Sequence, residues 1–472
     1  MNGFTMEETM SDESGTLRVR GITPTASYRV WLLSLLVLTY AWSFVDRIIL
    51  SVVGQAIKTE MNLTDLQLGL LGGLAFSIFY SVLSLPISRL AERYSRVMLI
   101  SVAIAGWSIM TALCGTAGSY WQLLMYRIGV GIGEAGGTPA AHSLIADQFP
   151  PERRATALSI YALGPPLGVF IGALGGGWVA QHYGWRAAFL VMGLPGLIVA
   201  MLTYMTLREP DRGASELGKA AAPEGVPSFA AVVRTLLADK AAVQMVLGYV
   251  VGSFALYGIN LFIPVYLTRA FGMNSAEAGL VFAVAIGVAG MIGNGFGGLL
   301  TDRLASRNVQ WYGLVPALGT IIGFPIMAIA FLQREWPVAI TLIFVSTVLL
   351  SFFYGATNAV IQGTVTPRMR ARAAAFVLLL VSFVGQGGGP AVVGFLSDKF
   401  SASLFTEGNY RLMCGTPHVT GGHGVSAFHG ALVEACADAS ATGIRYAMLS
   451  ITVVLAWSAL HYFLASRTMR RR

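Results

Sequence analysis

Apolar stretches of about membrane-crossing length, separated by short polar breaks, fill most of the chain. They fall near 30–57, 67–88, 97–116, 121–145, 155–179, 186–207, 243–268, 277–300, 311–332, 337–363, 373–396 and 444–466. Roughly 20 apolar residues carry a helix across a hydrocarbon core, where a helix satisfies every backbone polar group internally. The pattern predicts an all-α polytopic membrane protein with twelve transmembrane helices. The longest break on one side, residues 208–242, begins REPDRGASELGKAAAPEGVPS and has the charge and Pro/Gly content of a linker. It sets a tail (1–29) and a six-helix half (30–207) before it, and a second six-helix half (243–466) and a basic tail (467–472) after it. Its end, SFAAVVRTLLADK, places Phe229, Val232, Val233, Leu236 and Leu237 on one face behind Ser228 as N-cap, which predicts a short amphipathic helix on the membrane surface.

The halves repeat. GLLGGLAF from Gly69 returns as GLVFAVAI from Gly279, and SRLAERYSR with Glu92 and Arg93 returns as GLLTDRLASR with Asp302 and Arg303, each 210 residues later. PPERRA with Pro151 and Arg154 matches TPRMRA with Pro367 and Arg370 at an offset of 216. Internal duplication of this kind is a mark of secondary transporters.

Composition agrees and adds an orientation. The 472 residues are 55% hydrophobic and 11% charged, outside the range of soluble globular proteins. The net charge of +8 raises the question of nucleic acid, and the placement of the charges answers it. If the N-terminus is cytoplasmic, 22 of the 31 Lys and Arg lie on cytoplasmic segments, 7 on the opposite side, and Arg47 and Arg127 inside helices. That bias records topology, with both termini in the cytoplasm of a bacterial inner or other plasma membrane. No nucleic-acid partner is expected. The first 25 residues are polar and acidic and show no cleavable signal. Cys414 and Cys436 share the loop before the twelfth helix, on the non-cytoplasmic side, and are candidates for a disulfide, with two free thiols as the alternative. His418, His423 and His429 in that loop have no zinc-site spacing.

The chemistry is carried by charges inside helices. Helix 1 reads SFVDRIIL and places Asp46 beside Arg47. Helix 4 reads YRIGVGIGEAGGTPAAHSL and places Arg127 and Glu134 seven residues apart, on one face and about 10 Å apart along the axis. Intramembrane ionisable groups face a cavity or a partner, and these four sum to zero. Asp46 with Arg127, or Arg47 with Glu134, are the pairings open to them. A structural lock between helices 1 and 4 is the plain reading. The sharper one makes Asp46 and Glu134 proton-coupling groups and Arg47 and Arg127 ligands of an anionic substrate. Low dielectric favours the neutral carboxyl and a nearby arginine the charged one, so an anion that takes the arginine leaves its carboxylate to bind a proton. In the second half Tyr257, Asn260, Tyr354 and Asn358 are the polar candidates for the substrate site. Phe76, Phe79, Tyr80 and Phe262 are candidates for an apolar wall. Glu92 and Asp302 sit at cytoplasmic helix ends, where a carboxylate can hold arginines and helix N-termini and latch that face.

With these features on the page, the chain resembles the major facilitator superfamily. The second-to-third helix loop looks like its G-x-x-x-D-R-x-G-R pattern, here Ser88, Glu92, Arg93, Ser95 and Arg96, and again Gly298, Asp302, Arg303 and Ala305. The first copy lacks both glycines and has Glu for Asp. ALGPPLGVFIG, with Gly164, Pro165, Gly168 and Gly172, is similar to the family's helix-5 motif. The resemblance implies the major facilitator fold, two pseudo-symmetric halves, with Glu92, Arg93, Arg96, Asp147, Arg153, Asp302 and Arg303 as a cytoplasmic gate. Within the superfamily, VDRIILSVV and RIGVGIGEAGGTPAAHSLIADQFPPERRATALSIYALGPPLG look most like the spinster family, which moves lysophospholipids or sphingosine-phosphate-like lipids. Proton symporters of sugar acids and other organic anions share the Asp-Arg and the helix-4 Glu.

No Walker loop, metal triad or nucleophile-base pair is present, so no enzyme and no cofactor is expected, and a proton gradient is the expected driving force. The expectation is a monomeric secondary transporter, surrounded by membrane lipids, that carries an amphipathic anionic lipid by alternating access. The alternatives are a sugar-acid or organic-anion symporter, a drug exporter, or, in another class, a receptor or scaffold that does not transport.

Overall fold

The computed structural model describes residues 25–91, 93–210, 228–366, 369–414 and 427–469. Most of the N-terminal tail, Glu92, linker residues 211–227, Pro367, His418, His423 and the last three arginines lie outside the described residues.

The first half runs through α1 (Ala26–Met61), α2 (Asp65–Gly72), α3 (Leu74–Ala91), α4 (Arg96–Cys114), α5 (Tyr120–Glu134), α6 (Gly137–Gln148), α7 (Pro151–Tyr161), α8 (Gly164–Gly193) and α9 (Pro195–Thr206). The linker supplies α10 (Phe229–Ala238). The second half holds α11 (Lys240–Phe271), α12 (Ser275–Phe282), α13 (Ala289–Ala305), α14 (Trp311–Leu332), α15 (Trp336–Leu350), α16 (Phe353–Thr364), α17 (Arg370–Leu380), α18 (Gly389–Leu404), α19 (Tyr410–Cys414) and α20 (Ala427–Met469). π-helical turns at Ala283–Val288 and Val381–Gly388 join α12 to α13 and α17 to α18.

The repeat reaches down to single turns. Asn62 ends α1 in the left-handed conformation and Thr64 opens α2 with a reciprocal capping box to Gln67. In the second half, Gly272 ends α11 left-handed and Asn274 opens α12 with the same box to Glu277. Each residue of the second turn lies 210 positions after its counterpart, so one local solution to helix ends is used twice.

Ten runs among the described residues are long and apolar enough to cross a membrane. One of them, Thr156–Thr206, has 51 residues, about 75 Å of helix if straight, and it turns at Gly184, where φ is 84°. The expected count of twelve follows if that run crosses twice and the interrupted pair α5 and α6 crosses once. As the linker pattern predicts, Ser228 caps Ala231 at the start of α10. Val232 and Leu236 are buried against Val246, Val250 and Val377, whereas Leu237 is exposed.

The bundle has a linker end, where Ala26, Thr206, α10 and Met469 gather, and a loop end, where Met61, Asp65 and Phe271 lie. Among the described residues, every hydrogen bond and ion pair between the halves is at the loop end. Buried Asp65 accepts from Lys58 at 2.6 Å, from both terminal nitrogens of Arg269 at 2.6 and 2.8 Å, and from Ser397 Oγ at 2.6 Å. Asp398 accepts the backbone N–H groups of Asp65 and Leu66, the free donors at the start of α2. Two acids and two bases thus balance and tie α1, α2, α11 and α18 together.

Two symmetry-related glycines let the halves come this close. A Cβ on Gly69 would lie 2.3 Å from the Pro390 carbonyl oxygen, and one on Gly279 would lie 2.4 Å from that of Ala173. Both contacts cross between the halves, backbone against backbone, so no larger residue fits. The pair that marked the repeat in the sequence therefore marks the two seams.

Cys414 and Cys436 are joined by a disulfide that ties α19 to α20 at the loop end, and Cys114 is a buried free thiol. Maleimide labelling of the folded protein is expected to modify none of the three cysteines, and labelling after reduction should add Cys414 and Cys436. Arg269→Gln leaves Asp65 with Lys58 as its one cationic partner beside the Ser397 hydroxyl, a break of a buried pair that costs roughly 3–5 kcal/mol. Spin-label distances across the loop end are expected to lengthen in most molecules; unchanged distances would show that the network does not hold this end.

Candidate functional site

Helices α1 and α5 bring the four intramembrane charges together in the first half. Asp46 is 0%, Arg127 1% and Glu134 3% exposed, while the Arg47 side chain retains 13%. Arg47 donates from Nε and Nη2 to a single oxygen of Glu134, at 2.8 and 2.6 Å. Of the two pairings open to the sequence, Arg47 with Glu134 is therefore formed. Asp46 with Arg127 is not: Arg127 Nη1 donates to the backbone oxygen of Asp46 at 3.1 Å, and its Nε to that of Leu71 at 3.4 Å. Asp46 makes no ion pair and only the neutral Thr111 hydroxyl lies within reach of its carboxylate, while Oε1 of Glu134 has no hydrogen-bond partner. Adjacent residues on a helix point about 100° apart, which is why Asp46 turns into the packed first half while Arg47 keeps a solvent-exposed edge.

Rings surround the arginines. The Arg47 guanidinium lies 4.9 Å from the Phe44 ring centre, 4.6 Å from Phe76 and 5.0 Å from Tyr80, and that of Arg127 lies 5.8 Å from Phe76. Cation–π attraction offsets part of the cost of holding a cation away from water. Among the described residues Arg47 Nη1 makes no hydrogen bond, so this partly exposed cation keeps donors for an incoming acceptor. The helix-5 motif supports the site from behind: a Cβ on Gly168 would lie 2.1 Å from the Ala41 oxygen of α1.

From the second half, Tyr257 lies within electrostatic range of Arg47 and Tyr80, and Tyr354 within range of Tyr40 and Tyr257. Tyr354 is 42% exposed, and Asn358 donates to its backbone oxygen at 2.9 Å. Asn260 is half-buried one turn beyond Tyr257. Phe79 keeps an exposed face, but two other candidates for an apolar wall are wholly buried: Phe76 offers its ring to the Arg47 guanidinium and no free surface to a ligand, and Phe262 packs in the core. It lies on the α11 face packed into the bundle, which its sequence spacing did not reveal.

The gate motif divides. Arg96 is buried and bridges Asp147 and Glu209, the latter at 2.6 Å, with further bonds to Ser143 and the Pro210 oxygen. Partial burial would raise the Glu209 pKa, but the Val97 N–H, Arg96 and Ser95 outweigh it and hold the carboxyl below its ordinary range. This cluster closes α4, α6 and the start of the linker upon one another within the first half. Arg93, Arg153, Asp302 and Arg303 are exposed, and among the described residues none of them bridges the halves. Asp302 is thus not engaged as a latch here, and Glu92 lies outside the described residues.

Sequence reasoning missed Glu209, Asp65, Arg269 and Asp398. Their only signal was a charge at a helix end, indistinguishable from charges that merely set topology. No group of three or more metal-ligating side chains occurs among the described residues.

Comparison with known proteins agrees with this geometry. Residues 34–404 match the Major Facilitator Superfamily. An MFS-type efflux pump of Mycolicibacterium smegmatis is 33% identical over 80% of this chain and 86% of its own. Human Protein spinster homolog 1 is 28% identical over 83% and 77%, and a probable sphingolipid transporter, spinster homolog 1 of Arabidopsis thaliana, is 25% identical over 73% and 74%. A crystal structure of a bacterial homologue of the human lysosomal transporter Spinster, inward-facing and unoccupied, superposes with a TM-score of 0.84 at 32% identity, covering 95% of this chain and 98% of that one. The chain therefore belongs to the Major Facilitator Superfamily and, within it, to the spinster-type transporters, as an integral membrane carrier and not an enzyme.

Proposed function

We propose that this transporter moves an amphipathic anionic lipid, of the lysophospholipid or sphingosine-1-phosphate kind, in exchange for or together with protons. The observation that carries the reading is the contrast within the charge set. Arg47 keeps an exposed edge and unused donors beside Phe44, Phe76 and Tyr80, whereas Asp46 is wholly buried with no ion-pair partner and only the Thr111 hydroxyl within reach. A cation ringed by aromatic side chains suits a phosphate or carboxylate attached to an apolar chain. An unpaired carboxylate at this depth costs several kcal/mol, so Asp46 is held most cheaply with a proton. An anion that engages Arg47 competes with Glu134 for the same donors, and the displaced carboxylate becomes the second place for a proton. Occupancy by anion and by proton is then linked through one arginine. The name of the Arabidopsis relative, a probable sphingolipid transporter, supports the lipid class, and the Mycolicibacterium efflux pump supports export as the direction.

The orientation belongs to the same proposal. With both termini in the cytoplasm, the disulfide lies on the oxidising side of a plasma or bacterial inner membrane, and the protein is closed outside and open inside. A second reading, a carrier of small organic anions such as sugar acids, uses the same arginine without the aromatic wall.

The test is flux in proteoliposomes under an imposed pH gradient. Asp46→Asn and Glu134→Gln are each expected to leave substrate binding measurable and to abolish the response of flux to the gradient; a response that persists in both variants would sink the coupling. Arg47→Gln, which removes charge-assisted hydrogen bonds worth about 1.5–3 kcal/mol, is expected to weaken binding roughly 10- to 100-fold. Lysolipid and sphingosine phosphate are expected to be carried, and flux of water-soluble acids alone would favour the second reading. If no solute moves in the parent protein and neutralising all four charges changes nothing, the transport reading itself fails in favour of a receptor or scaffold.

A further inference from the structure

We infer that the linker end carries a second lipid site, outside the transport path, where an anionic phospholipid of the surrounding membrane docks between α11 and α20. A groove of about 360 Å³ opens there on the outer surface of the second half. Lys240 and Gln244 from the first turns of α11 and Arg467 and Thr468 from the last turn of α20 form its polar rim, and Val243 and Leu464 form its floor. Exposed Leu237 from α10 closes one side.

Three observations converge on an anionic headgroup with acyl chains. The first is charge: Lys240 and Arg467 are both exposed, and neither has a carboxylate partner among the described residues. Arg467 rests over the Phe463 ring at 4.7 Å, which fixes its guanidinium without neutralising it. Asp239, the nearest acid in sequence, is turned away to cap the N–H groups of Ala241 and Ala242 and to accept from Thr364. The second is fixed shape. His461 bonds Gln244 at 2.6 Å across the groove, and Ser458 donates to the Gly248 oxygen one turn deeper, so the two helices keep their spacing. The third is the continuation of the floor. Trp457, Leu460 and Leu464 recur at helical spacing on α20, with Leu247 in step with Val243 on α11. Trp457, Leu460 and Leu247 are exposed toward the surface that faces hydrocarbon.

Basic groups at the membrane boundary above an exposed apolar track fit a phospholipid, phosphate at Lys240 and Arg467 and chains along the track. A free phosphate or nucleotide would use the rim and leave the track idle. Each basic residue near an anionic lipid surface contributes about 1 kcal/mol.

The experiment uses the full-length protein in detergent, with melting temperature read against added phosphatidylglycerol, phosphatidylcholine or inorganic phosphate. Binding to the folded state alone raises the melting temperature, by a stabilisation that grows as the logarithm of one plus the ratio of free ligand to Kd. Phosphatidylglycerol is expected to give the largest rise. Lys240→Gln and Arg467→Gln should each weaken its apparent affinity roughly fivefold, the factor that about 1 kcal/mol represents. Lys240→Arg should retain the affinity, and Arg334→Gln, an exposed cation at the opposite end, should change nothing. Equal rises with phosphatidylcholine, or a phosphatidylglycerol effect that survives in the double variant Lys240→Gln/Arg467→Gln, would overturn the site. A rise with inorganic phosphate alone would also overturn it and assign the rim to a soluble anion. None of these readouts depends on transport, so the result stands apart from the cargo and coupling of the central site.

Discussion

No charge can stand alone at the depth of a lipid bilayer, and this constraint organises the molecule. Where water cannot solvate an ion, the protein supplies a partner, a ring or a helix end. The Arg47–Glu134 pair, the rings around Arg47 and the four-charge network at Asp65 are three answers to that one demand. Asp46 is the exception, buried with no cationic side chain paired to it, and an exception of this kind in the middle of a charge set is where function is sought.

The two charge systems divide the work between them. The set on α1 and α5 lies within one half and presents a cation at its edge, so it can answer to a ligand without any movement of the halves. The network at the loop end joins the halves, with each of the three Arg269 nitrogens bound to Gln55 or Asp65. It holds one arrangement of the two halves. The Arg96 cluster at the opposite end is confined to the first half and does not join the two halves. A carrier needs both kinds of interaction, one that reads the cargo and one that weighs the closed end against the open one.

Duplication explains why so few residues suffice for the closure. The left-handed ends of α1 and α11 and the capping box and seam glycine of α2 and α12 recur 210 residues apart, and each seam sets α2 or α12 against a helix of the other half. Pseudo-twofold placement thus makes two close contacts from one local design, and the charged network is added on one side only.

The alternation of apolar runs and polar breaks, the 210-residue repeat and the presence of Asp46, Arg47, Arg127 and Glu134 in otherwise apolar helices were legible in the chain itself. They depend on helix period, bilayer thickness and the cost of buried charge, all of which are local or generic. Ser228 as a cap and the apolar face of α10 were legible for the same reason. Which arginine meets which carboxylate was not, because it depends on the rotation of α1 against α5, set by contacts such as Gly168 on Ala41. Nor was the engagement of Asp65 with Arg269, 204 residues away, or of Arg96 with Glu209. Each of those is an ordinary charge at a helix end until the bundle is assembled. The sequence by itself determined the helices, the symmetry and the cast of charged residues; tertiary structure alone decided their partners, because a salt bridge across a bundle is fixed by helix rotation and depth, which no local pattern encodes.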